Sequence, residues 1–264
     1  MIRLNRYDKE SRIICAFQNL SKRKIKIFPT SLKNYRLYRS IHNKKKWKKW
    51  IDSSAKNELP PDFYNNKLKL MMDVMRIDDH TYVDKKGRII NRYNERESKI
   101  VKELINLNEN FKEVAESGRL FISPDSGLRG HDDHNYQMYV DNFKRVIEKH
   151  IKKINNYKIN HPNFKVIFFI FDESTPYMKL IDCEAPKNPG DLLHGDLHYW
   201  WKDRNMLDII KNSSIDYLVW MTPYKVFQSV EKVKYPLAVI YEVSKINFEK
   251  NIKYEIEELE SMEL

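Results

Sequence analysis

The chain has 264 residues, a hydrophobic fraction of 41% and a net charge of +11, which together exclude a disordered polyelectrolyte and indicate a globular protein with a real core. No apolar run approaches the roughly 18 residues that span a bilayer, and the charged start MIRLNRYDKESR lacks a signal-peptide apolar region. Cys15 and Cys183 are too few for a disulfide framework or a four-thiolate metal site, so we expect a cytoplasmic location and no membrane contact.

The positive charge is concentrated in the first 50 residues, which contain 16 lysines and arginines but only two carboxylates, Asp8 and Glu10. Within them, the alternation in KIKIF (24–28) predicts a short strand, and the apolar residues among the charges predict a basic amphipathic helix over 32–51. This asymmetry indicates a polyanionic partner, although a lysine-rich solvated surface would give the same composition. The residues of this segment that we expect to contact nucleic acid are Lys44, Lys45, Lys46, Trp47, Lys48 and Lys49.

The segment DSSAKNELPPDF (52–63) combines serine, two adjacent prolines and mixed charges, which is typical of a linker or a sharp turn. It predicts a boundary between a basic N-terminal segment or small subdomain, 1–58, and an α/β domain, 59–264. Beyond the boundary, apolar residues at helical spacing predict a helix over 65–77, and DKKGR (84–88) predicts the tip of a hairpin.

The rest of the chain alternates between amphipathic helices and apolar strands. The predicted helices cover 94–117, 134–154 and 203–213, with a helical turn over 224–233. The predicted strands cover 119–130, 165–174, 215–223 and 236–244, and a polar loop fills 175–201. Because these strands are uniformly apolar, they predict an α/β fold with a largely parallel central sheet that helices cover on both faces.

Carboxylates follow the predicted strands at the ends where open α/β sheets bind ligands. Asp125 follows the first strand, within SPDSGLRG, and Asp172 and Glu173 follow the second, within VIFFIFDES. If these strands are neighbours, the three side chains could converge on one Mg²⁺ or Mn²⁺ ion, since both ions favour carboxylate oxygens. Aspartate is also a common turn former and helix cap, so a structural role fits the same residues.

Histidines are concentrated in two nearby segments, RGHDDH and LLHGDLHYWW. Their side chains could bind a metal or act as general bases, because the imidazole pKa lies near neutrality. Zn²⁺ is the less favoured ion, since no spacing matches a specific zinc motif. The expected catalytic residues are Asp125, Asp172, Glu173, His134 and His198, and the expected metal ligands are Asp125, Asp172, Glu173, His194 and Asp196.

These patterns favour a metal-dependent nuclease or phosphodiesterase acting on nucleic acid, in which Arg129, in a glycine-bearing turn, contacts phosphate. The alternative is a non-enzymatic factor that binds nucleic acid or another protein, for example an inhibitor or adaptor encoded by a mobile element. A nucleotide-handling transferase or hydrolase with the same acids is a third hypothesis. Cleavage of DNA or RNA in the presence of a divalent ion would separate the first hypothesis from the second.

Overall fold

The computed structural model describes residues 9–54, 61–108, 110–111, 127, 130–180, 195–225 and 235–262, which form helices around a central sheet. The helices are α1 (Glu10–Asn19), α2 (Leu32–His42), α3 (Lys44–Trp47), α4 (Arg92–Leu107), α5 (Tyr136–Ile151), α6 (Ile154–Asn160) and α7 (Arg204–Lys211). The strands are β1 (Ile25–Phe28), β2 (Ile51–Asp52), β3 (Phe63–Asn65), β4 (Leu70–Ile77), β5 (Thr81–Val83), β6 (Ile89–Asn91), β7 (Lys165–Asp172), β8 (Tyr177–Leu180), β9 (Gly195–Leu197), β10 (Tyr217–Met221), β11 (Ala238–Glu242) and β12 (Leu259–Ser261). None of the helices in these ranges is both long and apolar enough to cross a bilayer.

The central sheet has the strand order β1-β11-β10-β7-β4-β3-β2 across the described residues. Strands β4, β7 and β10 are parallel neighbours, and β1 is parallel to β11. Strand β11 is antiparallel to β10, and β2, β3 and β4 pair as an antiparallel meander. The α/β class is therefore confirmed, but the prediction of a largely parallel sheet is wrong, because the sheet is mixed. Uniform hydrophobicity reflects helices on both faces, and it does not distinguish the antiparallel β11 from its parallel neighbours.

Helices cover both faces of the sheet, which explains the unbroken apolar runs. In β7, Phe168 faces a cluster completed by α5 and α7, and Phe169 faces a cluster completed by α1 and α2. In the first cluster Phe143 of α5 stacks on Trp220 of β10, with ring centroids 4.9 Å apart. In the second, Phe17 of α1 meets Phe169 edge to face at 5.4 Å. The helices on one face, the sheet and the helices on the other face form three layers. Burying each such side chain contributes roughly 1.5–3 kcal/mol to the stability of the fold, so apolar contacts hold these layers together.

Most of the predicted elements are confirmed with small shifts at their ends. The segment 24–28 contains β1, the turn 84–88 joins β5 to β6, and the predicted helices 134–154 and 203–213 are α5 and α7. The predicted strands 165–174, 215–223 and 236–244 are β7, β10 and β11. The polar loop predicted over 175–201 is wrong in part, because β8 and β9 lie within it. Helix α4 confirms the first part of 94–117, while most of 119–130 and of 224–233 lies outside the described residues.

The helix predicted over 65–77 is wrong, because most of this segment forms the central strand β4. This strand pairs with β7 along its whole length, from Leu70 opposite Lys165 to Ile77 opposite Asp172. Burial on both faces removed the alternation that identifies a strand, and the remaining apolar spacing imitates a helix. The correction matters for function, since β4 leads directly into the sequence DDH at the carboxyl edge of the sheet.

The basic N-terminal residues contribute to the same sheet and core. Strand β1 pairs with β11, β2 pairs with β3, and α1 and α2 cover one face. The single helix predicted over 32–51 is instead two helices, α2 and α3, separated at Asn43. The Asn43 side chain caps α3 by accepting a hydrogen bond from the backbone N–H of Lys46 at 3.1 Å. The predicted boundary near residue 58 stays a prediction, and residues 55–60 lie outside the described ranges.

Candidate functional site at the carboxyl edge of the sheet

Polar side chains gather where the parallel strands β4, β7 and β10 end. The carboxyl ends of the three strands lie at one edge of the sheet, as their pairing registers show. Buried polar groups need hydrogen-bond partners, so the partners of these side chains define the possible chemistry. The buried polar residues at and after the strand ends are Asp79, His80, Asp172, Glu173, Ser174, Thr175, Thr222 and Lys225.

Asp172 lies at the centre of a buried hydrogen-bond network. Its carboxylate accepts hydrogen bonds from Trp220 Nε1 at 3.0 Å, from the backbone N–H of Ser174 at 3.0 Å, and from the Ser174 and Tyr139 hydroxyls. Lys225 Nζ lies 3.4 Å from Asp172 Oδ2 and donates to the Tyr139 hydroxyl at 3.2 Å. Burial lowers the pKa of Lys225, and the charge of Asp172 opposes this effect. Protein donors thus reach both oxygens of Asp172, and its catalytic and metal-binding roles stay predictions.

Glu173 faces the opposite side of the sheet from Asp172, because neighbouring residues at the end of a strand alternate between faces. Arg76 holds its carboxylate in a bidentate arrangement, with Nε 2.8 Å from Oε2 and Nη2 2.8 Å from Oε1. The two adjacent acids are therefore not brought together around one ion. The ion pair between Arg76 and Glu173 links β4 to the end of β7. The predicted roles of Glu173 in catalysis and metal binding remain predictions.

His198 belongs to a second buried group, in which its Nε2 lies 2.7 Å from Asp203 Oδ2. The same Asp203 oxygen accepts the Tyr136 hydroxyl at 2.6 Å, and its other oxygen caps α7 through the backbone N–H of Asn205. Burial lowers the pKa of His198, and the hydrogen bond to Asp203 and the charge of that carboxylate oppose this effect. These contacts anchor the start of α7, and the catalytic role of His198 stays a prediction.

Three residues from two distant segments form a possible metal site: His80, which follows β4, and Asp133 and His134, which precede α5. One ligand atom from each residue lies within 4.8 Å of the ligand atoms of the other two. Nδ1 of His80 lies 3.5 Å from Asp133 Oδ2, and Nδ1 of His134 lies 2.8 Å from the same oxygen. The side chain of His80 is 3% exposed and that of Asp133 is 19% exposed, so the cluster is largely enclosed and Asp133 is partly exposed.

The second nitrogen of each histidine faces an oxygen of a polar side chain, and only the ring of His134 is hydrogen-bonded there. Nε2 of His80 lies 3.7 Å from Asp79 Oδ1, and Nε2 of His134 lies 2.7 Å from Ser261 Oγ. Thr175 connects these two residues, since its hydroxyl donates to Asp79 at 2.6 Å and lies 3.2 Å from Ser261 Oγ. Such outer carboxylate and hydroxyl groups are what fixes metal-binding histidines in proteins.

Neither ring nitrogen of His80 makes a hydrogen bond within the described residues, although the side chain is almost fully buried. A buried polar group without a partner costs free energy, and a metal ion at Nδ1 would remove that cost. Two imidazoles and one carboxylate are a donor set for Mn²⁺, Fe²⁺ or Zn²⁺, and three protein ligands leave positions for water or substrate. These three side chains could therefore hold a metal ion.

The sequence contained both halves of this cluster but gave no signal that they meet. DDH (78–80) and HDDH (131–134) both end in acids followed by histidine, and the hairpin β5–β6 and α4 lie between them. The helix predicted over 65–77 hid the position of His80 at the end of a central strand. A correct assignment of β4 would have placed this histidine at the ligand-binding edge.

The other predicted site residues lie elsewhere in the chain. Asp196 is exposed in β9, where it is in register with Lys179 of β8. The basic residues 44–49 lie on and just after α3, near the amino-terminal end of β4, whereas His80 follows the carboxyl end. Their roles in metal and nucleic-acid binding stay predictions. The predicted residues that lie outside the described ranges are Asp125, Arg129 and His194.

A second pair of carboxylates lies beside the middle of β4. Asp73 Oδ2 lies 2.5 Å from His150 Nδ1 and accepts the Tyr157 hydroxyl at 2.8 Å, and the neighbouring Asp62 accepts the backbone N–H of Val74 at 2.7 Å. Burial, and then the charge of Asp73, raise the pKa of Asp62 to about 8. The unfolded chain ionises Asp62 near pH 4, as aspartate normally does. Because the folded state keeps this proton to a higher pH, stability is lost as the pH rises from about 4 to about 8.

Comparisons of this chain with protein-family models, with curated proteins and with solved structures found no match. The function must therefore be argued from the geometry of the site and the charge of the surface.

Proposed function

We propose that the protein is a divalent-metal-dependent phosphodiester hydrolase that acts on nucleic acid in the cytoplasm. The observation that supports this most strongly is the convergence of His80, Asp133 and His134 at the edge where the parallel strands end. Ligands bind at this edge in open α/β sheets, and Asp172, one of the acids expected from the sequence, ends β7 there. The net charge of +11 supports a polyanionic substrate.

The donor set favours Mn²⁺ or Zn²⁺ over Mg²⁺. Mg²⁺ prefers oxygen ligands and retains its waters, whereas imidazole nitrogens suit transition metals and zinc. Mn²⁺ is among the ions expected from the sequence, and the two histidines make Zn²⁺ a second candidate for this site. Ligation by His80 and His134 would use Nδ1 of each imidazole, and the hydrogen bond between Ser261 Oγ and Nε2 of His134 fixes the second of these rings.

A divalent ion held by His80, Asp133 and His134 would supply a Lewis acid and would lower the pKa of a bound water towards neutrality. The residues of the chain would hold that ion and restrict the histidine rings, through the connection from Asp79 to Thr175 and Ser261. Tyr177 adds to this support, since its hydroxyl donates to Asp79 at 2.8 Å.

Cleavage of labelled DNA and RNA tests this proposal, with each substrate incubated with Mn²⁺, Zn²⁺, Mg²⁺ or EDTA. We compare Asp133→Asn with Asp132→Asn, because the two carboxylates are adjacent and only Asp133 belongs to the cluster. The expected result is cleavage that EDTA abolishes and that falls at least about 100-fold in Asp133→Asn, with little change in Asp132→Asn. Thermal unfolding of both variants shows whether the fold is retained.

Two outcomes would contradict the proposal. Equal activity of the two variants would mean that Asp133 holds no catalytic ion. Binding of nucleic acid without cleavage under any metal condition would favour the non-enzymatic binding factor instead.

A further inference from the structure

An open groove with a volume of about 280 Å³ lies at the amino-terminal end of β4, and four of its seven lining residues are basic. Helix α2, helix α3 with the turn after it, and the turn between β3 and β4 form its walls. The lining residues are Arg36, Ser40, Lys46, Lys49, Asn65, Lys67 and Leu68. Four of these residues are basic, none is acidic, and all four basic side chains are exposed, so positive charge is concentrated around a groove whose own surface is mostly apolar.

The four basic side chains of the groove are exposed, and none of them forms an ion pair within 4.0 Å in the described part of the chain. Ion pairs within 4.0 Å in these ranges use other cations, for example Lys33 with Glu242 and Lys179 with Glu258. Like charges that share one groove repel each other, and a bound polyanion would remove this repulsion. Their arrangement therefore fits a negatively charged partner better than a merely solvated surface.

Hydrogen bonds fix the floor of the groove in the absence of a ligand. The Ser40 hydroxyl donates a hydrogen bond to the Leu37 carbonyl at 2.7 Å. The backbone carbonyl of Ser40 accepts a hydrogen bond from Trp50 Nε1 at 3.1 Å. Opposite, the Asn65 side chain accepts the backbone N–H of Leu68 at 3.0 Å. The backbone on both walls is thus held in place, and a ligand would not have to order it.

The aromatic residues near the groove are already used by the protein. Trp47 stacks on Trp50 with centroids 5.3 Å apart and packs against Phe63 at 5.0 Å. Base stacking by Trp47 would have to disrupt these contacts, so the groove offers charge rather than aromatic faces to its ligand. Contacts to phosphate alone do not distinguish one base sequence from another.

We propose that this groove binds the phosphodiester backbone of a nucleic acid, without a metal ion and independently of base sequence. A concave groove suits a strand better than a planar membrane, and Leu68 is the one exposed large apolar side chain among its lining residues. The eight residues of β4 separate the groove from His80 by roughly 25 Å, at about 3.3 Å per residue. The groove is thus a binding surface distinct from the metal cluster, and it stands whether or not the protein cleaves its ligand.

Fluorescence anisotropy tests the groove, with a labelled 20-nucleotide strand of mixed sequence in EDTA so that no metal-dependent cleavage occurs. The test variant is Lys46→Gln with Lys49→Gln, two groove lysines that are three residues apart. The control is Lys149→Gln with Lys152→Gln, which removes two exposed lysines at the same spacing near the end of α5. Titrations at several KCl concentrations give the salt dependence, and vesicles containing phosphatidylserine provide the membrane comparison.

Four backbone contacts predict a slope of log K against log[salt] of about −3 for a single strand. We expect the groove variant to lose about 10- to 50-fold in affinity at 0.1 M salt and its slope to become shallower by about 1.4, whereas the control changes affinity by less than about threefold. Equal losses in the two variants would overturn the proposal, because net charge alone would then explain binding. Binding to the vesicles but not to the oligonucleotide would also overturn it.

Discussion

Replacing Lys225 by methionine should destabilise the fold by about 3 kcal/mol, because it leaves the Asp172 carboxylate buried without its cation. Both side chains are fully buried, with Nζ 3.4 Å from Oδ2. Two unit charges at this distance attract by about 5 kcal/mol at an effective dielectric constant of about 20. Burial of the ammonium offsets part of this attraction, as the lowered pKa of Lys225 indicates. Asp172 would retain the neutral donors Tyr139, Trp220 and Ser174, so the loss should lie near the lower end of the range of about 3–5 kcal/mol for broken buried pairs.

Urea unfolding at pH 7 measures this effect in four proteins: the wild type, Lys225→Met, Asp172→Asn and the double variant. The double variant removes both charges, so its unfolding free energy should exceed the value expected from adding the two single losses by at least about 2 kcal/mol. Purely additive losses would refute the reasoning, because they would show that the two side chains do not stabilise each other. A Lys225→Met variant as stable as the wild type would refute it equally.

Two further predictions concern parts of the fold away from this network. Between pH 5 and pH 8 the wild type should lose about 2–4 kcal/mol of unfolding free energy by proton linkage, and the Asp62→Asn variant should lose clearly less. Urea unfolding at both pH values measures these losses. Equal losses in the two proteins would contradict the raised pKa of about 8 for Asp62. In Gly195→Ala the new Cβ would lie 2.2 Å from the carbonyl oxygen of Lys179, so β8 and β9 must separate. We expect a loss of about 1–3 kcal/mol, and an unchanged urea midpoint would contradict the close approach of the two strands.

The sequence predicted the positions of the core strands better than their directions. The apolar runs of β7, β10 and β11 are recognisable in the sequence because strands buried on both faces carry mostly apolar side chains. Uniform hydrophobicity does not show whether neighbouring strands are parallel, since strand direction depends on how the chain connects the strands and on their order in the sheet. It also concealed β4, in which Asp73 interrupts the apolar run and finds its partners, His150 and Tyr157, only in the folded protein.

The candidate site was predictable in its location but not in its composition. Asp172 was expected at the carboxyl end of a central strand, and it lies there. Its partner Lys225 follows β10, and no local pattern joins the two residues before the strands pair. The cluster of His80 and Asp133 requires two segments that meet only because α5 packs over the end of β4. Tertiary contacts of this kind have no signature in a single sequence.

The most direct test of the proposed metal centre is an anomalous difference map from crystals of the full chain soaked with Mn²⁺ or Zn²⁺. A site at the cluster predicts one peak about 2.0–2.3 Å from Nδ1 of His80, Nδ1 of His134 and an oxygen of Asp133. Ordered histidine rings with no peak between them, or a peak at Asp172 instead, would contradict the assignment.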